Sequence, residues 1–304
     1  MSNEIPIRLR LPDFVIIGAQ KSASTFLQEC IREHPAVYMN REEDAFFEDP
    51  EYVRIGIEKF ATQFDGIPDD LLIGIKRPNY LAMPLCLERI YTHIPNARLI
   101  AILRDPVKRA VSCYFHDIRH GILPICSLNL GMARILNGEY ATNYPRSQEI
   151  LDFGLYYKHL RHYLEYFDRS QLFIRLFEDV RKTPLEVVRQ AYSFLGIDTS
   201  YRPRALSKRP MKGVHSMWRL RFTSISNKYK MLSEDKMRIY RRPGFYPRVM
   251  IRVINGIDKF VLAKFDRSAK PMLNAEIEQQ LRSFYAEDIA GLEKLLSIDL
   301  SDWK

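Results

Sequence analysis

Four short apolar runs stand out from an otherwise mixed chain: Phe14 to Ile17, Leu71 to Lys76, Arg98 to Leu103 and Gln171 to Leu176. Each is rich in β-branched or aromatic residues and apolar at successive positions. That pattern suits strands covered on both faces rather than strands with one wet side. Between and after them the apolar spacing becomes helical. It predicts helices from Ser22 to about Glu33, ended by His34-Pro35, from Phe153 through Phe167, and over the amphipathic last segment from Leu273. Strands alternating with helices predict an α/β fold with a central parallel sheet flanked by helices. Asp117 to Arg146, punctuated by Gly and Pro, is expected to be an irregular loop region over the site.

The first strand carries the clearest chemistry. Gly18 can turn the chain sharply out of it, and Lys21-Ser22-Ala23-Ser24-Thr25 then opens the first helix with hydroxyls suited to N-capping. The unpaired N–H groups and positive dipole end of such a helix favour an anion, and Lys21 adds a full charge. A phosphate or sulfate cradle follows from these features. The nucleotide triphosphatase loop G-x-x-x-x-G-K-[ST] fits less well, because Gln20 stands where the Gly before the Lys belongs.

Further along, Arg41-Glu42-Glu43-Asp44-Ala45-Phe46-Phe47 joins three acids to two aromatics, which suggests a segment anchored in the core with a carboxylate near the first loop. Lys76 and Arg77 emerge at the end of the second run, where ligands gather in doubly wound sheets. The third run leads into Arg104-Asp105-Pro106, with Pro106 suited to the first turn of a helix and Asp105 to its cap. Arg104 and Ser112 could contact one anion lying along that helix. Asp105 and Arg109, at i,i+4 spacing, are equally compatible with a surface ion pair. His116 and His120 fall in the expected loop.

These motifs together resemble the sulfotransferases that use 3′-phosphoadenosine 5′-phosphosulfate (PAPS), in particular the bacterial and heparan sulfate-type carbohydrate enzymes. Lys21 to Phe26 resembles their 5′-phosphosulfate loop, K-S-G-T-T-W, with Ala23 in place of Gly and Ser24 in place of Thr. Arg104, Asp105, Pro106, Arg109 and Ser112 match the 3′-phosphate signature R-D-P-x-x-R-x-x-S. The resemblance implies a P-loop-like three-layer fold and one sulfotransferase domain over residues 1–304, with 205–272 a basic helical insertion. It places the general base on Glu43, from K-E-x-x-F-F, and an assisting lysine on Lys76, from G-E-K-[ST]-P-x-Y. Lys21, Ser22, Ala23, Ser24 and Thr25 would hold the 5′-phosphate. Arg104 and Ser112, with a late basic loop at Lys212 and Gly213, would hold the 3′-phosphate. The acceptor implied is a glycan or glycolipid hydroxyl, and no metal is required.

Composition bounds the remainder. The chain has 304 residues, 46% of them hydrophobic, a formal charge of +9 and scattered cysteines, with no C-x-x-C pair. No apolar stretch is long enough to cross a bilayer and no secretion signal precedes Arg10, so a cytoplasmic protein is expected. Between Lys212 and Lys270 fifteen Lys or Arg face four acids, interleaved with Trp218, Phe222 and Val249 to Phe265. Such a segment suits contact with the inner membrane surface or an acidic glycan as well as simple solvation. Nucleic acid is not expected, because no recognised binding motif accompanies the charge. Two other functions fit parts of the pattern: a nucleotide-dependent small-molecule kinase, and a non-catalytic basic module for acidic polymers.

Overall fold

The structure is a computed structural model that describes residues 9–207, 214–232, 239–269 and 271–304. The chain divides into two compact units, Met1–Arg104 with Tyr156–Pro210, and Asp105–Leu155 with Met211–Lys304.

The first unit is built on a five-stranded parallel sheet. Its strands are β1 (Phe14–Gly18), β2 (Val37–Met39), β3 (Leu72–Lys76), β4 (Arg98–Leu103) and β5 (Leu172–Leu176), in the order β2-β3-β1-β4-β5. All five residues of β1 are buried, which is why the run shows no polar alternation. Phe14, Ile16, Ile100 and Ile102 share a core with Leu27 and Ile31 of α1 (Ser24–Arg32), and with Val187, Val188 and Ala191 of a later helix, Pro184–Leu195. Gly74 faces Phe14 across the β1/β3 ladder. A Cβ there would sit 2.1 Å from the Phe14 ring, so that position needs glycine for space. The sheet order changes direction at β1, with β3 on one side and β4 on the other. The crevice outside the carboxyl ends of these strands is where such sheets bind ligands.

The four predicted strands are all present, and the short edge strand β2 was not expected. The expected irregular loop Asp117 to Arg146 is corrected: α2 (Pro106–His120) runs through His116 and His120, and a further helix, α3 (Leu128–Leu136), follows. Both lie in the second unit. Gly131 marks the inside of α3 rather than a break, since a Cβ there would lie 2.0 Å from the Tyr114 hydroxyl. Segment 205–272 is helical over α4 (Met217–Ser224) and α5 (Phe245–Ile257) and also carries a short antiparallel strand pair, Lys230–Leu232 with Ile239–Arg241. The amphipathic last segment is α6 (Ala275–Leu296), whose Tyr285 donates to the carbonyl of Leu151 at 3.0 Å.

Candidate functional site

The loop from β1 to α1 is fixed from both sides of the sheet. Ala19 N–H donates to the Ile102 carbonyl at 2.9 Å and Arg77 N–H to the Ile16 carbonyl at 3.0 Å, extending strand pairing past the strand ends. Gly18 serves close approach: a Cβ there would meet Leu81 at 2.8 Å. Lys21 and Ala23 adopt left-handed backbone, at φ 65° and 73°. Ala23 is itself the N-cap of α1, with no side-chain cap hydrogen bond, which corrects the expected capping by Ser22, Ser24 or Thr25. The Ser22 hydroxyl instead donates to the Gln20 carbonyl at 3.4 Å, and Ser22 and Ser24 are buried in the turn. The first turn of α1 contains no acidic residue to compete with an incoming anion.

Lys76 leaves the end of β3 almost wholly buried, 2% exposed, and links two parts of the site. Its Nζ donates to Thr25 Oγ1 at 2.9 Å and lies 3.2 Å from Glu43 Oε1. Burial pulls the Lys76 pKa below its ordinary value, and the Glu43 carboxylate works against that shift. The other Glu43 oxygen lies 3.2 Å from Arg77 Nη1. Arg77 in turn grips Glu48 through Nε and, at 2.8 Å, through Nη2. Burial opposes the Arg77 charge, but Glu48 and Glu43 outweigh it and hold the guanidinium above its ordinary pKa. Two cations thus aim a single carboxylate whose side chain remains 40% exposed.

The Glu43 segment is held by backbone contacts that leave its tip open to the crevice. Gln28 Nε2 donates to the carbonyls of Asn40 and Arg41 at 2.9 and 3.1 Å, and Asp44 N–H donates to the Lys76 carbonyl at 2.9 Å. The Tyr80 hydroxyl donates to the Asp44 carbonyl at 2.7 Å and accepts from Phe47 N–H at 3.1 Å. Burial drives the Tyr80 pKa far up, which keeps that phenol proton in place. Phe46 stacks on Phe60 with ring centroids 3.9 Å apart, so the aromatic pair anchors the segment as expected.

Arg104 follows β4 and donates from Nη1 to the Lys21 carbonyl at 3.0 Å, bracing the left-handed turn. Its guanidinium also lies 4.8 Å from the Phe177 ring centroid. The structure therefore brings Lys21 and Arg104 together, and likewise Thr25, Lys76 and Glu43. Gln28, Arg77 as a charge clamp and Glu48 were missed; the Lys76-Arg77 pair at a strand end was the available signal.

Within the second unit, Ser112 is half-buried on α2. Asp105 caps α2, accepting from the N–H groups of Val107 and Lys108 at 2.9 and 3.2 Å, and Arg282 clasps both carboxylate oxygens at 3.2 Å. Arg109 is fully buried and donates to the Ile150 carbonyl, which removes the surface pair as an explanation for the spacing. Two members of the R-D-P-x-x-R-x-x-S pattern thus serve structure. Lys212 and Gly213 lie outside the described residues.

Known proteins resemble this chain along most of its length. It is 28% identical over 283 residues to the bifunctional heparan sulfate N-deacetylase/N-sulfotransferase 1 of Caenorhabditis briggsae, covering 90% of this chain and 32% of that protein. To the enzyme of that name numbered 4 in Mus musculus it is 32% identical over 215 residues, 67% of this chain and 24% of that one. The matched region therefore spans about a third of these relatives or less. A crystal structure of a sulfotransferase from Alicyclobacillus acidocaldarius shares the fold, with a TM-score of 0.68 at 22% identity over 97% of this chain and 99% of that chain. Residues 11–246 match the family described as the sulfotransferase domain, and the chain belongs to that family.

Proposed function

We propose that the chain transfers a sulfuryl group from PAPS to a hydroxyl of a carbohydrate acceptor, with Glu43 as general base. The observation that carries this reading is Lys76, which joins the anion loop at Thr25 to the carboxylate at Glu43 within hydrogen-bonding distance of each. An in-line transfer needs those two elements side by side, because attack and departure occur on opposite faces of one sulfur.

The residues fit such a donor: a cationic loop, a helix start without acids and an arginine at the neighbouring strand end suit a nucleotide bearing two phosphate groups. Bound PAPS supplies the sulfuryl group and a phosphate leaving group. Lys21 and the start of α1 hold the 5′-phosphate and neutralise the charge that gathers on its bridging oxygen as the sulfur–oxygen bond breaks. Glu43 accepts the acceptor's hydroxyl proton as the new carbon–oxygen–sulfur link forms. Lys76 orients Glu43 and places positive charge beside the sulfuryl oxygens, while Arg104 binds the 3′-phosphate.

A glycan acceptor is supported by the heparan sulfate named in both relatives. Those relatives are N-sulfotransferases by name, so a sugar amine is the second reading, distinguished by whether the product carries an N- or an O-sulfate. Calorimetric titration with 3′-phosphoadenosine 5′-phosphate, with ATP as control, tests the donor site. We expect binding of the former without magnesium and weak binding of ATP. Arg104→Ala should weaken that binding about tenfold or more, as loss of a charge-assisted contact predicts. Preference for magnesium-ATP would instead establish the kinase reading.

A further inference from the structure

The second unit carries a helical face whose residues the proposed sulfuryl transfer does not use. From Phe245 the chain is helical to Phe265: α5 passes at Asp258 into a π-helical turn and then a last turn, Ala263–Phe265. Its inward side is fixed by charge. Asp258, 2% exposed, receives Arg219 Nε and Nη2 at 2.7 and 3.0 Å, and Arg219 Nη1 reaches Asp266 at 2.9 Å. Arg119 adds a contact to Asn255 at 3.4 Å, and Ile254 is buried beside these groups.

Those two aspartates are the only acids among residues 239–269, against seven Lys or Arg. Both are engaged by Arg219, so the charge presented outward is cationic: Arg248, Arg252, Lys259, Lys264 and Arg267 are exposed. The same segment exposes large apolar side chains. Phe245 is 84% exposed, Phe260 63% and Phe265 74%, with Tyr246 and Val253 also open. Phe245, Val249, Val253 and Phe260 recur at helical spacing, and Arg248, Arg252 and Lys259 run along one flank of that stripe. A Cβ added at Gly256, between Val253 and Phe260, would meet no atom within 4 Å, so none of the described residues covers the stripe there.

We propose that the outward face of Phe245–Phe265 lies in the headgroup region of an anionic phospholipid bilayer, with the aromatic side chains entering the acyl boundary and the arginines and lysines reaching phosphate groups. Among the described residues no helix is long and apolar enough to cross a membrane, which fits a helix lying along the surface. An acidic polysaccharide would satisfy the cations but leave five exposed apolar side chains in water. A bilayer accommodates both. The inference does not rest on the sulfotransferase reading.

Co-sedimentation of the full chain with phosphatidylglycerol–phosphatidylcholine vesicles, set against pure phosphatidylcholine vesicles, tests it. Binding should appear with the anionic vesicles and weaken as salt is raised. Phe245→Ser with Phe260→Ser should lower the partition constant about tenfold or more. Arg248→Glu with Arg252→Glu should lower it by on the order of a hundredfold at low salt. Unchanged thermal unfolding would verify that both variants fold. Should either fail to fold, Phe260→Trp in the otherwise natural chain reads insertion directly, since brominated lipid should quench it beyond the natural protein's own signal. The proposal is overturned if the natural chain ignores anionic vesicles. It is equally overturned if the phenylalanine variant binds them as well as the natural chain while a soluble sulfated polysaccharide displaces both, which would make the face a polyanion site.

Discussion

Two clusters of paired charge in this protein each join cations to carboxylates and do opposite things. In the first unit, Lys76 and Arg77 converge on Glu43, and Arg77 is itself steadied by Glu48, so the cations point a carboxylate outward. In the second unit the carboxylates point inward: Asp258 and Asp266 are both taken up by Arg219, and the surplus cations face out. A buried ion pair is weak evidence for stability by itself, because desolvation offsets much of the attraction. What distinguishes the clusters is the group each leaves exposed. One leaves a partly exposed carboxylate beside the β1–α1 loop, and the other leaves a basic, aromatic surface.

Substituting one acid in each cluster breaks the comparison in different currencies, activity for one and stability for the other. Glu43→Gln keeps the shape, but its single amide oxygen can face only one of Lys76 and Arg77, which approach opposite oxygens of the carboxylate, and the proton acceptor is lost. Sulfuryl transfer should fall about a hundred- to ten-thousandfold, the usual range for a general base, with donor-product binding nearly unchanged. Steady-state rates alongside the nucleotide titration separate the two effects. Full activity in this variant would remove Glu43 from the role and leave the first cluster as a structural pair.

Asp258→Ala should have the reverse profile. It removes one of the two carboxylates on the Arg219 guanidinium, which is largely buried, and a contact to Arg119 as well. Removing one partner of a buried pair costs about 3–5 kcal/mol, and Asp266 remains to hold Arg219, so about 3 kcal/mol is expected. A differential-scanning trace should show the unfolding midpoint falling by several degrees. If it does not move, the inward aspartates are not what fixes the outward face.

The sheet was legible because buried parallel strands read as unbroken apolar runs, and β4 falls where Arg98 to Leu103 predicts it. The three-residue edge strand β2, Val37–Met39, is too short to give a period, and α3 was hidden by Gly131, whose role is to admit the Tyr114 hydroxyl. Glu43, Lys76 and Arg104 were singled out through their motifs, and the structure sets Lys76 against Glu43 and Arg104 against Lys21. The clamp of Arg77 on Glu48, 29 residues away, was not legible, since sequence carries no distance between separate segments. The cap at Asp105 was legible, but not its second partner, Arg282, which comes from the far end of the chain. The matching R-D-P pattern says that the residues recur together; it does not say which of them touch a ligand.

Ala23 offers the smallest and sharpest test, because there the chain departs from its family's pattern at a position whose geometry favours the pattern. The residue sits at φ 73°, ψ 16°, where an L side chain costs about 1–2 kcal/mol relative to right-handed backbone. Glycine removes that strain but loses about 0.5–1 kcal/mol through the greater freedom of the unfolded chain. Ala23→Gly should therefore stabilise the protein by about 0.5–1 kcal/mol, read as a rise in the unfolding midpoint. Ala23→Val should lower it, since a β-branched side chain tolerates the left-handed region least. Lys21 shares the turn at φ 65°, so the loop keeps its cation at the cost of the same strain. If Ala23→Gly lowers the midpoint, the alanine methyl is contributing more to packing against the core around α1 than the turn costs it, and the left-handed geometry would owe its persistence to that contact. If it raises the midpoint, the strain is carried for the sake of the loop's shape, as expected where backbone N–H groups must turn toward an anion.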